Sequence, residues 1–176
     1  MFHKIIVAID HSEMGKRVFD EAVFLAKATN ACLMLLHVLS PYEEGHPDLG
    51  TLASVAYYPG MDDDIVKQYL KQWETYKKEG LEQLRSYTEE AIRLGVKAEL
   101  IQLTGSPAYV ICDQARTWGA DLIIVGRRGL SGLKEAILGS ISNYVTHHAY
   151  CSVLTVHGSV NIDATLSQEN PEALVP

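Results

Sequence analysis

The richest chemistry in this chain lies in Gly126-Arg127-Arg128-Gly129, followed after nine intervening residues by Gly139-Ser140-Ile141-Ser142. Glycine lets backbone N–H groups approach an anion without side-chain obstruction, and the Ser140 and Ser142 hydroxyls can bond phosphate oxygens beside a helix N-terminus. Arg127 and Arg128 add guanidinium groups suited to bidentate contact with oxyanions. The plainer alternatives are a tight turn with a glycine for close helix packing, and arginines turned to solvent. A second group, Asp10-His11-Ser12, places a carboxylate and a hydroxyl beside another helix start. Asp10 there can hold ribose hydroxyls or only cap the helix.

Other nucleotide and hydrolytic chemistries lack their residues. There is no G-x4-G-K-[ST] phosphate loop, no G-x-G-x-x-G dinucleotide fingerprint and no G-x-S-x-G nucleophile elbow. No Ser-Gly-Gly loop of the ATP pyrophosphatase type follows the first strand. His37 and His157 read as core or edge side chains rather than general bases. Cys32, Cys112 and Cys151 stand far apart in apolar surroundings and read as packing thiols. Without an H-E-x-x-H or Cys/His cluster, no metal held by protein alone is expected. Asp62-Asp63-Asp64 reads as carboxylates at the positive end of a helix, with a triple-acid metal site as the sharper alternative.

These residues need elements to position them. Lys4–Asp10 (KIIVAID) is a nearly continuous β-branched run, as expected of a parallel strand covered on both faces. Ser12 caps a helix to about Thr29, with Val18, Ala22, Leu25 and Ala26 at helical spacing. Ala31–Leu39 is the second strand. Residues 40–64 scatter Pro and Gly among acidic and aromatic residues and read as a long loop, functional or disordered. A stripe of Val66, Tyr69, Leu70, Trp73, Leu81, Leu84, Thr88, Ala91 and Leu94 predicts one long helix ending near Gly95, with Gly80 a candidate kink. Val96–Leu103 is the third strand, Ser106-Pro107 a cap with first-turn proline, Ala108–Trp118 a helix and Asp121–Val125 the fourth strand. A helix from the second glycine group to Ala149 precedes the fifth strand, Cys151–His157. Alternating strands and helices with right-handed crossovers give an α/β, doubly wound, open parallel sheet with helices on both faces. Its ligands bind beyond the carboxyl ends of the strands, where the connections switch direction.

At 176 residues, 47% apolar and 21% charged, the chain suits a single domain over residues 1–157. Residues 158–176 are polar without apolar period and read as a loose tail. The formal net charge of −7 gives no general attraction to nucleic acid or anionic lipid. The absence of any signal-peptide pattern or long apolar run leads to the expectation of a cytoplasmic protein that meets no membrane.

The complete spacing G-x2-G-x9-G-[ST], carried by Gly126, Gly129, Gly139 and Ser140, resembles the motif of the ATP-binding branch of the universal stress protein family. The resemblance extends from Phe2 to His157 and includes the VAID start, the GADLIIVGRRG segment and the closing CSVLTVH strand. It implies an adenine nucleotide alpha hydrolase-like sheet of five strands in the order 3-2-1-4-5. By the same resemblance, Ala8, Ile9 and Asp10 meet adenosine, Val38 lines the adenine through its backbone, and Val125 packs nearby. Gly126 and Gly129 approach ribose and phosphates, while Gly139, Ser140, Ile141 and Ser142 complete the cradle. Two departures stand out. His11 replaces the glycine common after the first-strand Asp and is expected to narrow the mouth; the 40–64 stretch is long for the family.

The resulting expectation is a stress-response sensor or signalling module binding ATP, ADP or AMP, with Mg2+ a possible companion of the nucleotide. One alternative is a slow Mg2+-dependent ATP hydrolase or phosphotransfer enzyme, for which no base or water-orienting residue is evident. Another is a dimeric, chaperone-like interaction module with a vestigial site, presenting Tyr57, Tyr58, Tyr69 and Trp73. Cys151–Val156 is apolar, yet the family order puts it at an edge, so a homodimer through the fifth strand is expected, burying Val153 and Val156. Cover by the tail is the alternative.

Overall fold

The computed structural model describes residues 1–40, 47, 63–127 and 139–157. Most of the 40–64 loop, the middle of the glycine-rich stretch including Arg128 and Gly129, and the tail lie outside the described residues. Strands β1 (Lys4–Ala8), β2 (Cys32–Leu39), β3 (Ala98–Thr104), β4 (Leu122–Gly126) and β5 (Ser152–Val156) form one parallel sheet in the order β3-β2-β1-β4-β5, as expected. The described helices are α1 (Glu13–Thr29), α2 (Asp63–Arg93), α3 (Pro107–Trp118) and α4 (Ser140–His148). The connections run outward from β1 to β3 on one side and then return to β4, so the direction switches between β1 and β4.

Strand residues alternate faces, and both faces are apolar because helices cover both. Ile5, Val7, Leu33, Leu35, Leu122 and Ile124 form one core with Val18 and Phe19 of α1 and Leu84 and Ala91 of α2. Ile6, Met34, Leu36, Val38, Ile123 and Val125 form the other with Ile111 and Ala115 of α3 and Val145 of α4. Every one of these strand side chains is less than a tenth exposed, and full burial of such a side chain stabilises by about 1.5–3 kcal/mol.

Helix ends follow local chemistry. Asn30 closes α1 in the left-handed region at φ 55°, and Gly119 does the same for α3 at φ 73°. Ser12 and Ser106 occupy the cap positions of α1 and α3 in extended conformation, but neither hydroxyl bonds a helix amide.

The long helix corrects the expected stripe. It begins at Asp63, inside the expected loop, and its buried line is Tyr76, Gly80, Leu84, Thr88 and Ala91, while Leu70 and Leu94 are 54% and 43% exposed. The helix continues through Gly80, which lies against side chains of β2 and β3. A Cβ there would lie 2.6 Å from two ring atoms of His37 and 2.8 Å from Gln102 Nε2. The Gln102 amide donates to the Lys77 carbonyl (3.0 Å) and to His37 Nδ1 (3.1 Å), joining β2, β3 and α2 through one polar seam. Because an amide nitrogen only donates, His37 accepts at Nδ1.

Gly80→Ala tests this crossing. In an unobstructed helix interior the change stabilises by about 0.5–1 kcal/mol, but overpacking against His37 and Gln102 costs about 1–3 kcal/mol. A lower urea midpoint is expected, and a raised one would show that the ring and amide yield without cost.

Candidate nucleotide site

β1 ends at Ala8, and the Ile9 amide still reaches the Leu36 carbonyl at 2.9 Å. Asp10 thus lies past the last ladder residue rather than within the strand. Its carboxylate accepts the Ser12 amide at 3.1 Å and the Ser12 hydroxyl, a local turn that starts α1. Gly15 completes the arrangement: its amide bonds the Ser12 carbonyl at 2.9 Å, and a Cβ on it would overlap the Asp10 carbonyl oxygen. Gly15 escaped sequence reading because a glycine one turn into a helix resembles a weak helix former.

Face alternation decides which expected site residues come together. Ala8, Val38 and Val125 belong to the α3/α4 face, at the carboxyl ends of neighbouring strands β1, β2 and β4. Val38 and Val125 are 7% and 2% exposed. Ile9 is 4% exposed and packs into the opposite core. Gly126 also looks that way: a Cβ on it would lie 2.6 Å from Met14 and 3.0 Å from Val18, so close packing of α1 accounts for its glycine.

His11 departs from expectation. Its ring packs edge-on against His37 at 5.0 Å between centroids and lies 5.6 Å from that of Tyr76. It therefore faces α2, away from the Val38 and Val125 face, and does not narrow a mouth on that side.

On the other side of the switch point, α4 starts at Ser140 with Gly139 as its cap residue. Gly139 has φ −56° and ψ 149°, a conformation open to any residue, so its glycine is not a backbone requirement. Ser140 and Ile141 are exposed, whereas Ser142 is 1% exposed and its hydroxyl donates to the Gly139 carbonyl at 3.0 Å. Ser142 therefore braces the first turn from inside. No acidic residue sits in that turn, and the leading amides of any helix lack intrahelical acceptors and carry its positive dipole end. Arg127 follows β4: its amide bonds the Val156 carbonyl at 2.8 Å and its guanidinium reaches His157 Nδ1 at 3.2 Å. Gly129 lies outside the described residues.

The cysteines are free; Cys112 is buried, Cys32 and Cys151 half-buried, and burial pushes all three thiols up. Among the described residues no group of three potential ligands could hold a metal ion, and Asp62 lies outside them. No described helix is long and apolar enough to cross a membrane.

A model of the universal stress protein family matches residues 1–157. The chain belongs to this family. Universal stress protein YxiE of Bacillus subtilis is 41% identical over 156 residues, covering 89% of this chain and 99% of that protein. The UspA universal stress protein from Lactobacillus plantarum shares the fold, with a TM-score of 0.66 at 22% identity over 88% of this chain and 97% of that one. A universal stress protein solved in complex with cAMP superposes with a TM-score of 0.58 at 25% identity, covering 90% and 98% of the two chains.

For this universal stress protein, Gly15→Ala should push the Asp10 backbone away from α1 and lower stability by about 1–3 kcal/mol. Urea denaturation measures it, and an unchanged midpoint would show that the turn relaxes freely.

Proposed function

We propose that this protein binds an adenine nucleotide over the carboxyl ends of β1, β2 and β4 and serves in the cytoplasm as a nucleotide-responsive module of a stress response. The observation that carries the reading is the shared face: Ala8, Val38 and Val125 line the α3/α4 side of the sheet beside the switch point, with the α4 N-terminus following β4. The cAMP complex of a relative with the same fold supports this ligand class. In this reading Val38 and Val125 flank the adenine, Asp10 takes ribose hydroxyls, and Ile9 and Gly126 offer backbone only. Arg127, Gly129 and the amides of Ser140, Ile141 and Ser142 receive the phosphates at Gly139. ATP, ADP and AMP all fit this description, and Mg2+ would enter with the phosphates.

Gly139→Val places a branched side chain where the phosphates approach without straining the backbone, so the variant should fold and lose at least about tenfold in ATP affinity, the effect of ~1.4 kcal/mol. Calorimetry decides it: unchanged ATP affinity in the folded variant would remove the cradle.

A second copy of the chain is proposed to pair along β5. That strand is an edge in the observed order, and Leu154 is 37% exposed on it. Val153 and Val156, expected to need the partner, already pack against the protein's own two cores. Leu154→Lys should therefore shift mass toward monomer in light scattering at micromolar concentration. A monomeric wild type, or a fully dimeric variant, would refute the pairing.

A further inference from the structure

The described helices clothe the two sides of the sheet very differently. On one side, six of the 17 residues of α1 and thirteen of the 31 of α2 are charged. On the other, α3 carries only Asp113 and Arg116, and α4 carries no Asp, Glu, Lys or Arg. Asp113 and Arg116 pair with each other at 2.8 Å. Lys4 reaches only the last residue of α3, donating to the Trp118 carbonyl. Aromatic rings stand in place of charges. Tyr109 and Tyr150 are 62% and 73% exposed. Tyr109 meets Tyr144 across the two helices at 4.6 Å between centroids, and Tyr144 stacks on His148 at 3.9 Å with planes 6° apart. The His148 ring is fixed by donating from Nδ1 to the Tyr144 carbonyl at 2.9 Å. Past the end of α4, the Arg116 guanidinium lies over the Tyr150 ring at 5.2 Å.

We propose that the outer α3/α4 face is a self-association surface, taken by the same face of a second copy of this chain. Charge decides the occupant. A two-fold contact sets each group near the axis against its own copy, so any charge there meets its like. Among the described helices, α3 and α4 alone form a face that can do this without stripping water from a dense set of charges. A partner steered by charge would instead find its contacts on α1 and α2. Tyrosine enrichment with depletion of charge is also the composition of an interface core. Because the Tyr109, Tyr144 and His148 rings already pack on one another, docking needs little further ordering of them. Their hydroxyl and imidazole groups remain hydrated when the copies separate, which places the contact in the weak class, with a dissociation constant of about 100 μM. The surface is separate from the β5 edge and needs no nucleotide.

Sedimentation of the full chain at about pH 8, where ordinary imidazoles are uncharged, reads this contact. The Leu154→Lys variant, deprived of pairing along β5, isolates it. Its mass should be that of a monomer at a few micromolar and should approach twice that value by several hundred micromolar. Adding Tyr109→Lys should weaken this association at least about tenfold. That substitution brings the net charge of −7 closer to zero, so general repulsion between copies cannot explain the loss. Tyr109→Phe keeps the ring and should preserve the association. Phe24→Lys, at an exposed apolar residue of α1, should also leave it intact and controls for indiscriminate adhesion. Tyr109 and Phe24 are both exposed, so these variants should fold. A Leu154→Lys mass that stays monomeric at every concentration overturns the proposal. So does a rise that survives Tyr109→Lys or is abolished by Phe24→Lys. If the wild type itself is monomeric at micromolar concentration, pairing along β5 falls, while the mass at several hundred micromolar still decides this surface.

Discussion

The two-residue period of a strand covered on both faces governs most of what this protein can do. Because β1, β2 and β4 lie inside the sheet, each consecutive residue must satisfy a different core. At the carboxyl ends the same rule sorts side chains between two compartments. Val38 and Val125 face α3 and α4, while His37 and Gly126 face α2 and α1. A one-residue slip of register would exchange these sets, which is why burial on both faces specifies the site so firmly.

Glycine roles divide along the same line. Gly15, Gly80 and Gly126 each mark a place where a helix comes within a methyl group's width of something else: the Asp10 carbonyl, the His37–Gln102 seam, and the Met14 and Val18 side chains. None of these needs a left-handed backbone. Gly126 is part of the spacing that resembles a phosphate motif, yet its local cause is packing. A glycine pattern in sequence therefore mixes ligand approach with helix approach, and only the direction of the missing Cβ separates them.

Fold and strand order were legible because β-branched runs and helical stripes are long, local signals, and the resemblance supplied the order. The start of α4 at Ser140 was legible for the same reason. What was not legible depended on contacts across the chain. His11 follows Asp10, and nothing in its neighbours reveals that it would pack edge-on against His37 and beside Tyr76 rather than stand at the mouth. Tyr76 was missed on α2 because a charged run surrounds it, and Gly80 was read as a candidate kink rather than a close approach, while Leu70 and Leu94 were overcounted as apolar letters. Ser142 was expected in the cradle but turns inward to Gly139, a choice made by the first helical turn and not by residue type.

The 31 residues of α2 give the sheet unequal flanks. At about 1.5 Å per residue the helix runs some ~46 Å, roughly twice the length of the strands it crosses. Burial of α2 begins at Tyr76, beside His11 just past β1, and continues toward Ala91 at the opposite edge. Before Tyr76 no described side chain of α2 is fully buried, and Ile65, Val66, Tyr69 and Trp73 are half-buried along one side of the helix. The 12 residues of α3 and 9 of α4 on the other face carry no comparable extension. The two faces of one sheet are thus clad by helices of very different length, and the longer one has a half-wetted stretch of about three turns to spare.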